Sequence, residues 1–499
     1  MKFTVGKRGG VKTLCLFRED VAAIKGEKED GQPGEKEKEV RYAREKVGFE
    51  GKAGETFFFP AAGGGEEILL LGMGEKEKLT GDGLREICFQ AGTAMEKNGI
   101  EELTLSLSPE DAHLTDAEEL GKVVTEGFLQ ATYRFDKYKT KPEEAKKREQ
   151  KERRIYLDPG TRENKGVRRG VRRAKKVMEG VFLTRDLVNE PANVLYPARL
   201  AEKAEKFFRG TEVKVEVLGE KEIRKLGMEA FLSVAGGSDR EPKLIVMEYR
   251  QDPSTDQTIA LVGKGITYDS GGYSLKPSDS MKTMASDMAG AATVIGTMQA
   301  LRLCGIKTNA IGVIACCENL VSGRAYKPGD IIGSMAGKTI EIDNTDAEGR
   351  LTLADAVYFA SKTKGASSLI DLATLTGACV VALGEEYTGA VTNDSAFLAS
   401  FLAAARKTGE RVWELPADED FAKKNESDVA DIKNSGGRLG GAISAGLFVG
   451  AFVDENKPWI HLDIAGTAYR EKAQHYLPSH ATGIMVKTLV EFLDGKGAK

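Results

Sequence analysis

Apolar positions recur along the chain with two different periods, and they predict its layout. From about residue 185 onward, short apolar runs alternate with helical patterns. Ile259–Val262, Ile311–Ala315, Thr339–Ile342, Ser368–Asp371 and Trp459–Leu462 have the length and composition of buried strands. Helices are expected at about 281–303, 351–363, 441–453 and 482–494. This alternation predicts an α/β fold, with a mostly parallel central sheet flanked by helices. Such sheets take their ligands beyond the carboxyl ends of the strands, so chemistry is expected there.

The first 160 residues read differently. Strand-like Glu67–Gly72 and helix-like Leu84–Phe89 lie in charge-rich surroundings, and the Glu/Lys-dense stretch Lys25–Glu39 reads as a mobile surface loop. A second charged stretch, Lys137–Arg154, precedes the turn signal Asp158-Pro159-Gly160. Apolar residues at 167, 171, 174, 178, 181 and 182 then follow helical spacing. The expected organisation is a smaller N-terminal α/β domain over 1–160 for assembly or regulation, a connecting helix over 161–185, and a larger α/β domain over 186–499.

Composition narrows the function. The 499 residues carry 72 Lys+Arg against 76 Asp+Glu, a net charge of −4, which excludes a basic footprint over the whole protein. The basic stretches 137–154 and 167–176 offer a local patch for DNA, but without a base-reading motif the expectation is a solvated face or a subunit contact. Six cysteines at 15, 88, 304, 316, 317 and 379 form no C-x-x-C pair and read as small buried hydrophobes. The N-terminal decapeptide has no apolar signal core, and no run is long enough to cross a bilayer. A cytoplasmic location is expected.

Three segments carry the candidate chemistry. In Glu341-Ile-Asp-Asn-Thr-Asp-Ala-Glu-Gly-Arg-Leu351, Asp346 and Glu348 are two apart, so an extended backbone would aim both carboxylates at one point. They would repel there unless a cation lay between them, and Arg350 adds an anion-binding fork. The alternative is an exposed acidic turn. In Val262-Gly-Lys-Gly-Ile-Thr-Tyr-Asp-Ser-Gly-Gly272, Lys264 and Asp269 bracket a loop in which Gly271-Gly272 permit close backbone approach. A surface cation and a loop cap are the ordinary fates of such residues. In Met281–Ala292, Asp287 interrupts an apolar helix face and must be paired or metal-bound if buried.

Two nucleotide-binding motifs fail. Gly263-x-Gly265 has Tyr268 where the third glycine belongs, and Gly333–Thr339 has three residues between its glycines where a P-loop needs four. Four histidines and no H-E-x-x-H exclude a histidine-rich zinc protease site, so a metal here would be held mostly by oxygen.

Asn344-Thr-Asp-Ala-Glu-Gly-Arg-Leu351 resembles the signature octapeptide of the leucyl aminopeptidase family, the dinuclear-metal M17 type. Val262–Thr267, Asp269–Gly272, Lys276-Pro277, Asp287–Ala292, Asp371–Ala378, Ala430-Asp431, Asn434, Gly440–Ala442 and Trp459–Gly466 follow in the family's order. The resemblance covers about 185–495. It implies a metal-dependent aminopeptidase that removes leucine and other apolar N-terminal residues from short peptides.

Residue by residue, the resemblance makes Lys264, Asp269, Asp287, Asp346 and Glu348 the ligands of two divalent metals, zinc or manganese. Asp269 and Glu348 would bridge; Lys264 and Asp287 would belong to the looser site and Asp346 mainly to the other. Lys276 and Arg350 match the catalytic positions, with Lys276 stabilising an oxyanion and Arg350 holding a bicarbonate proton shuttle. Met284, Asn344, Thr374, Leu375 and Gly377 match the substrate pocket. The family also implies a homohexamer, with no membrane partner. A hexameric DNA-binding protein with secondary peptidase activity is the alternative, and phosphoester hydrolysis at the same cage is a third reading. Tyr268, Tyr273 and Tyr196 depart from the family pattern, and Tyr273, three residues before Lys276, is expected to reshape the pocket.

Overall fold

A computed structural model describes all residues except 7–8, 25–34, 61–65, 113, 115, 141–150, 161–163, 455–456, 478 and 497–499. The chain divides into two compact units, Met1–Met178 with Ala473–Leu477 and Glu179–Lys472 with Pro478–Lys499.

The first unit holds a six-stranded sheet made of β1 (Lys2–Val5), β2 (Val11–Phe17), β3 (Thr56–Phe59), β4 (Ile68–Gly74), β5 (Glu102–Ser106) and β6 (Arg154–Asp158), in the order β1-β6-β5-β2-β4-β3. Only β3 runs antiparallel to its neighbour. All of β4 is buried, which matches its unbroken apolar sequence. Helices α1 (Gly81–Asn98) and α2 (Ala117–Gln130) are N-capped by Thr80 and Asp116. The acidic stretch near residue 30 departs from expectation in part. Residues 25–34 lie outside the described set, but Glu35–Tyr42 is helical, because a run of Glu and Lys free of Gly and Pro favours a helix.

The periodic segment after residue 160 is a helix, α3 (Asn164–Val188). Val167, Val171, Ala174, Met178 and Val181 are buried, as their spacing requires. On its basic face Arg169 pairs with Glu118 at 2.8 Å and Arg168 donates to the Val5 carbonyl.

The second unit is built on an eight-stranded sheet. Its strands are β7 (Lys214–Leu218), β8 (Lys243–Arg250), β9 (Ile259–Asp269), β10 (Asn309–Asn319), β11 (Ser368–Ala373), β12 (Thr388–Thr392), β13 (Val412–Glu414) and β14 (Trp459–Asp463). The order is β13-β12-β14-β11-β9-β10-β8-β7. The four central strands, β14, β11, β9 and β10, run parallel, and antiparallel strands flank them. β10 is buried at every position, so both faces are covered and its sequence shows no alternation. Cys316 and Cys317 are among its buried side chains, and all six cysteines are free.

The strand expected at Thr339–Ile342 is reduced to Ile340–Glu341 and belongs to a separate three-stranded ladder, not to the main sheet. It ends where the Asp343 and Asn344 amides turn to the Asn434 side chain. No helix follows Gly333–Thr339, in keeping with its failure as a P-loop. The helix expected from 281 is broken into Ser278–Met281, a 3-10 turn Met284–Ser286, and α4 (Ala289–Cys304). Helices α5 (Gly349–Tyr358), α6 (Gly441–Gly450) and α7 (Val486–Lys496) complete the frame. Among the described residues no helix is long and apolar enough to cross a membrane.

Asp355 anchors α5. Its two carboxylate oxygens accept from the amides of Phe231 and Met335 at 2.9 and 2.8 Å in a fully buried position. Burial lifts its pKa from 3.8 to about 7 against the pull of those amides. The folded carboxyl therefore keeps a proton that the unfolded one has lost, so its contribution to stability falls as pH rises from about 4 through 7. Asp355→Ala is expected to cost on the order of 1–3 kcal/mol through its orphaned amides. Urea denaturation between pH 4 and 8 tests both points, and Asp355→Asn should flatten the pH slope.

Candidate dinuclear metal centre

Three of the four parallel strands end on a polar residue at this edge of the sheet, and the fourth is followed by one. β9 ends at Asp269, β10 at Asn319 and β14 at Asp463, and Thr374 directly follows β11. Lys264 lies within β9, opposite Ala315 of β10. The remaining charged groups come from loops and helix starts. Asp287 follows the 3-10 turn, and Glu348 is the N-cap of α5.

Two expected geometries are corrected here. Asp346 and Glu348 do not converge from an extended segment, because residues 345–346 form a turn and Glu348 is already helical in φ and ψ. Asp287 does not interrupt a helix face; it caps the 3-10 turn, so its side chain is free to leave the helix axis. The convergence itself holds. One carboxylate oxygen each from Asp269, Asp346 and Glu348 lies within 4.8 Å of the others.

The two lysines contact different carboxylates of this cluster. Lys264 Nζ is 2.9 Å from Asp287 Oδ1 and 2.8 Å from Glu348 Oε1, and it donates to the Thr374 carbonyl at 2.9 Å. Lys276 Nζ is 2.9 Å from Asp269 Oδ2 and 2.6 Å from Asp346 Oδ1. Thr374 Oγ1 donates to Asp287 Oδ1, while Asp287 Oδ2 is buried with no hydrogen-bond partner among the described residues.

Burial drives the protonation of the cluster. It raises the pKa of Asp287 well above the usual carboxylate range despite Lys264, and it raises Glu348 and Asp346, each further pushed by Asp269. Burial alone would lower Lys264 and Lys276, but the surrounding carboxylates outweigh it and raise both. Four carboxylates are thus crowded around two ammonium groups, with an orphaned oxygen left over. An oxygen-rich donor set with one amine fits divalent cations, which would relieve this crowding.

Gly271 and Gly349 make the approach sterically feasible. Gly271 has φ +84°, and a Cβ there would lie 2.7 Å from Asp346 Oδ1. A Cβ at Gly349 would lie 2.5 Å from Lys264 Cε.

The cluster forms the floor of a cavity of about 920 Å³. Lys264, Asp269, Lys276, Asp287, Asp346 and Arg350 line it, together with all five expected pocket residues, Met284, Asn344, Thr374, Leu375 and Gly377. Glu348 is not part of the lining; it lies underneath, 1% exposed. Val380, Val381, Leu415, Leu439 and Ile443 add an apolar wall that the sequence did not reveal. Arg350 is held by Asn434, whose carbonyl accepts from Nη1 at 2.8 Å, and burial lowers its pKa to about 10. Tyr273 is corrected: it is half-exposed, absent from the cavity lining, and donates to the Ser322 carbonyl. Tyr196 stacks under Arg240 at 3.8 Å.

Comparison with known proteins places the chain in a family. The model for the catalytic domain of the cytosol aminopeptidase family matches residues 182–490, and that for the family's N-terminal domain matches residues 33–142. The chain belongs to the cytosol aminopeptidase family. A probable cytosol aminopeptidase of Treponema denticola is 48% identical over 494 residues, 99% of each chain, and one of Clostridium tetani is 44% identical over 499 residues, again 99% of each.

Among solved structures, a mutant of tomato leucine aminopeptidase aligns with a TM-score of 0.86 at 30% identity, covering 99% of this chain and 96% of that one. The bottromycin maturation enzyme BotP in complex with Mn aligns at 0.83 and 30% identity, over 99% of each. This family member is therefore a peptidase, a metal-dependent aminopeptidase with divalent metal ions as cofactors.

Gly349→Ala should push Lys264 away from Asp287 and Glu348. Mn²⁺ should raise the melting temperature of the chelated wild type through its preference for the folded state. The variant is expected to need roughly 10–100-fold more Mn²⁺ for half that rise, which a thermal-shift titration measures.

Proposed function

We propose that the enzyme removes the N-terminal residue of short peptides, leucine and other apolar residues foremost, at a pair of divalent ions. The observation that carries the reading is the crowded cage of Asp269, Asp287 and Asp346 on the floor of a partly apolar cavity with Glu348 buried against them, and Lys276 and Arg350 in the same lining. Asp269 and Glu348 would be shared between the two ions, Lys264 and Asp287 would serve the looser one, and Asp346 the other. Zinc and manganese both suit this donor set. When bound, such ions polarise the scissile carbonyl and lower the pKa of a water nucleophile.

The chain's own groups supply the rest. Lys264 must give up the proton it holds here before its amine can act as a ligand. Lys276, at the edge of the cage, keeps its positive charge close to the carbonyl oxygen as that oxygen becomes negative. Arg350 retains a buried Nε with no hydrogen-bond partner among the described residues, which fits a small anion beside it. Bicarbonate in that seat would carry the proton from the nucleophile to the leaving amine.

Met284, Asn344, Thr374, Leu375 and Gly377 would surround the departing residue, and the neighbouring apolar wall supports a preference for apolar side chains. The uncharged α-amine of the substrate would be the cage's second anchor, which limits cleavage to the first peptide bond. We assign the N-terminal domain, taken as 1–160 ahead of a 161–185 connector and a 186–499 catalytic domain, to assembly or regulation of a homohexamer in the cytoplasm.

Leucine p-nitroanilide and a set of dipeptides test the reading. Cleavage should vanish on chelation and return with Mn²⁺ or Zn²⁺, while N-acetylated substrate stays intact. Cleavage of the acetylated substrate, or full activity without metal, would refute it. Glu348→Ala should lose at least about 100-fold in kcat, more than is usual for groups that merely support a ligand, with its circular dichroism unchanged. Sedimentation velocity tests the hexamer.

A further inference from the structure

Asn319 is the last residue of β10, fully buried, and stands beside Asp269 in the parallel register. Its Nδ2 donates twice, to Asp269 Oδ1 at 2.8 Å and to the Thr345 carbonyl at 3.0 Å. Its own carbonyl accepts from the amide and the hydroxyl of Ser270 at 2.9 and 2.8 Å. The Nδ2 bonds hold the side chain, and the Ser270 bonds hold the backbone from which it projects.

Thr345 is the other half of this junction. Its Oγ1 donates to the Gly271 carbonyl and accepts from the Ser274 amide, each at 2.7 Å. Tyr326 OH donates to the Thr345 carbonyl at 2.8 Å. The loop from Asp269 to Lys276 and the loop from Asn344 to Glu348 are thus tied by uncharged hydrogen bonds. Asn319 is the side chain of the knot that reaches the Asp269 carboxylate.

That contact has a consequence for Asp269. Its Oδ1 accepts from both Asn319 Nδ2 and the Gly271 amide, each at 2.8 Å, while Oδ2 is left facing Lys276. A carboxylate torsion is intrinsically broad, so its rotation must be fixed by such partners. Asn319 serves this arrangement at some cost. Its buried Oδ1 has no hydrogen-bond partner among the described residues, which a side chain selected for stability alone would avoid.

On the metal-cage reading above, we infer that Asn319 is a positioning residue for metal binding: it fixes the rotation of Asp269 and the separation of the two ligand-bearing loops. The test uses chelated full-length protein titrated with Mn²⁺, with free Mn²⁺ counted by electron paramagnetic resonance. Asn319→Ala should bind Mn²⁺ roughly 10–100-fold more weakly, as is usual when the partner of a ligand is removed. Its metal-free form should still melt cooperatively.

A folded Asn319→Ala with wild-type Mn²⁺ affinity would overturn the inference, as would a lowered metal-free melting temperature with unchanged affinity. If the alanine variant does not fold, Asn319→Ser is judged by the same criterion, and failure of both to fold would make Asn319 a residue of the fold alone and overturn the inference. A wild type that binds no Mn²⁺ would refute the cage reading itself, a different result from a wild type and a variant that bind equally.

Discussion

Four carboxylates share a small volume at the end of a parallel sheet, and like charges so placed repel unless cations intervene. Two of them, Asp269 and Glu348, are no more than 2% exposed, so water cannot screen them. The local architecture answers this repulsion. Lys264 and Lys276 act as counterions to different carboxylates, and burial pushes Asp287, Asp346 and Glu348 toward their protonated forms. A cluster that must recruit protons to exist without metal is one that divalent ions would stabilise. That links its electrostatics to the catalysis the family performs.

Such a cluster needs a support that does not add charge. The parallel strands provide the rigid part, with Lys264 and Asp269 on β9 held in register against Ala315 and Asn319 on β10. The loops are then joined by neutral groups. Thr345, Asn319 and Asn434 make hydrogen bonds of 2.6–3.0 Å between groups that do not titrate over the working range. Asn434 shows this economy clearly. Its side chain takes the amides of Asp343 and Asn344 and donates to the Asn344 carbonyl, while its own carbonyl holds Arg350. One residue thus sets both a ligand loop and the buried guanidinium. Lysines in these places would have competed with the cations.

Much of this was legible in the sequence because burial on both faces leaves an unbroken apolar run. Ile259–Val262, Ile311–Ala315 and Trp459–Leu462 lie inside β9, β10 and β14, and the ligand-like residues were found because they directly follow such runs. What escaped detection lies where polar residues continue a strand. β10 runs on through Glu318 and Asn319, which in one dimension look like the start of a loop. Glu318 is tolerated there because Ser238 donates to it and Arg240 lies 3.6 Å away. Asn319 is tolerated because Asp269 and Thr345 accept from it. A strand's polar end is visible only once its partners are known, and those partners are 50 and 26 residues away. The same reason hid the turn at Asp346: alternation implies an extended backbone, but Asn344 Oδ1 accepts from the Asp346 amide and closes the chain into a turn.

The cavity above the cage divides the work by polarity. Its floor carries the caged carboxylates and lysines, and one wall, of Val380, Val381, Leu415, Leu439 and Ile443, is apolar, while Glu385, Arg438 and Glu471 lie elsewhere in the lining. The two parts are held by different elements. The floor depends on strand ends and α5, whereas Val380 and Val381 lie on the short helix Gly377–Leu383 and Ile443 on α6. Asp463 joins them, since it accepts from the Leu375 amide and the Thr376 hydroxyl, so the segment that leads into that short helix also delivers Thr374 to Asp287 and Lys264. On the proposed reading of this cavity, substitutions on the wall would alter which side chain is accepted while leaving the carboxylates where they are. Substitutions at Asp463 would disturb both at once. A fold built this way can vary its specificity without rebuilding the electrostatics on which its chemistry depends.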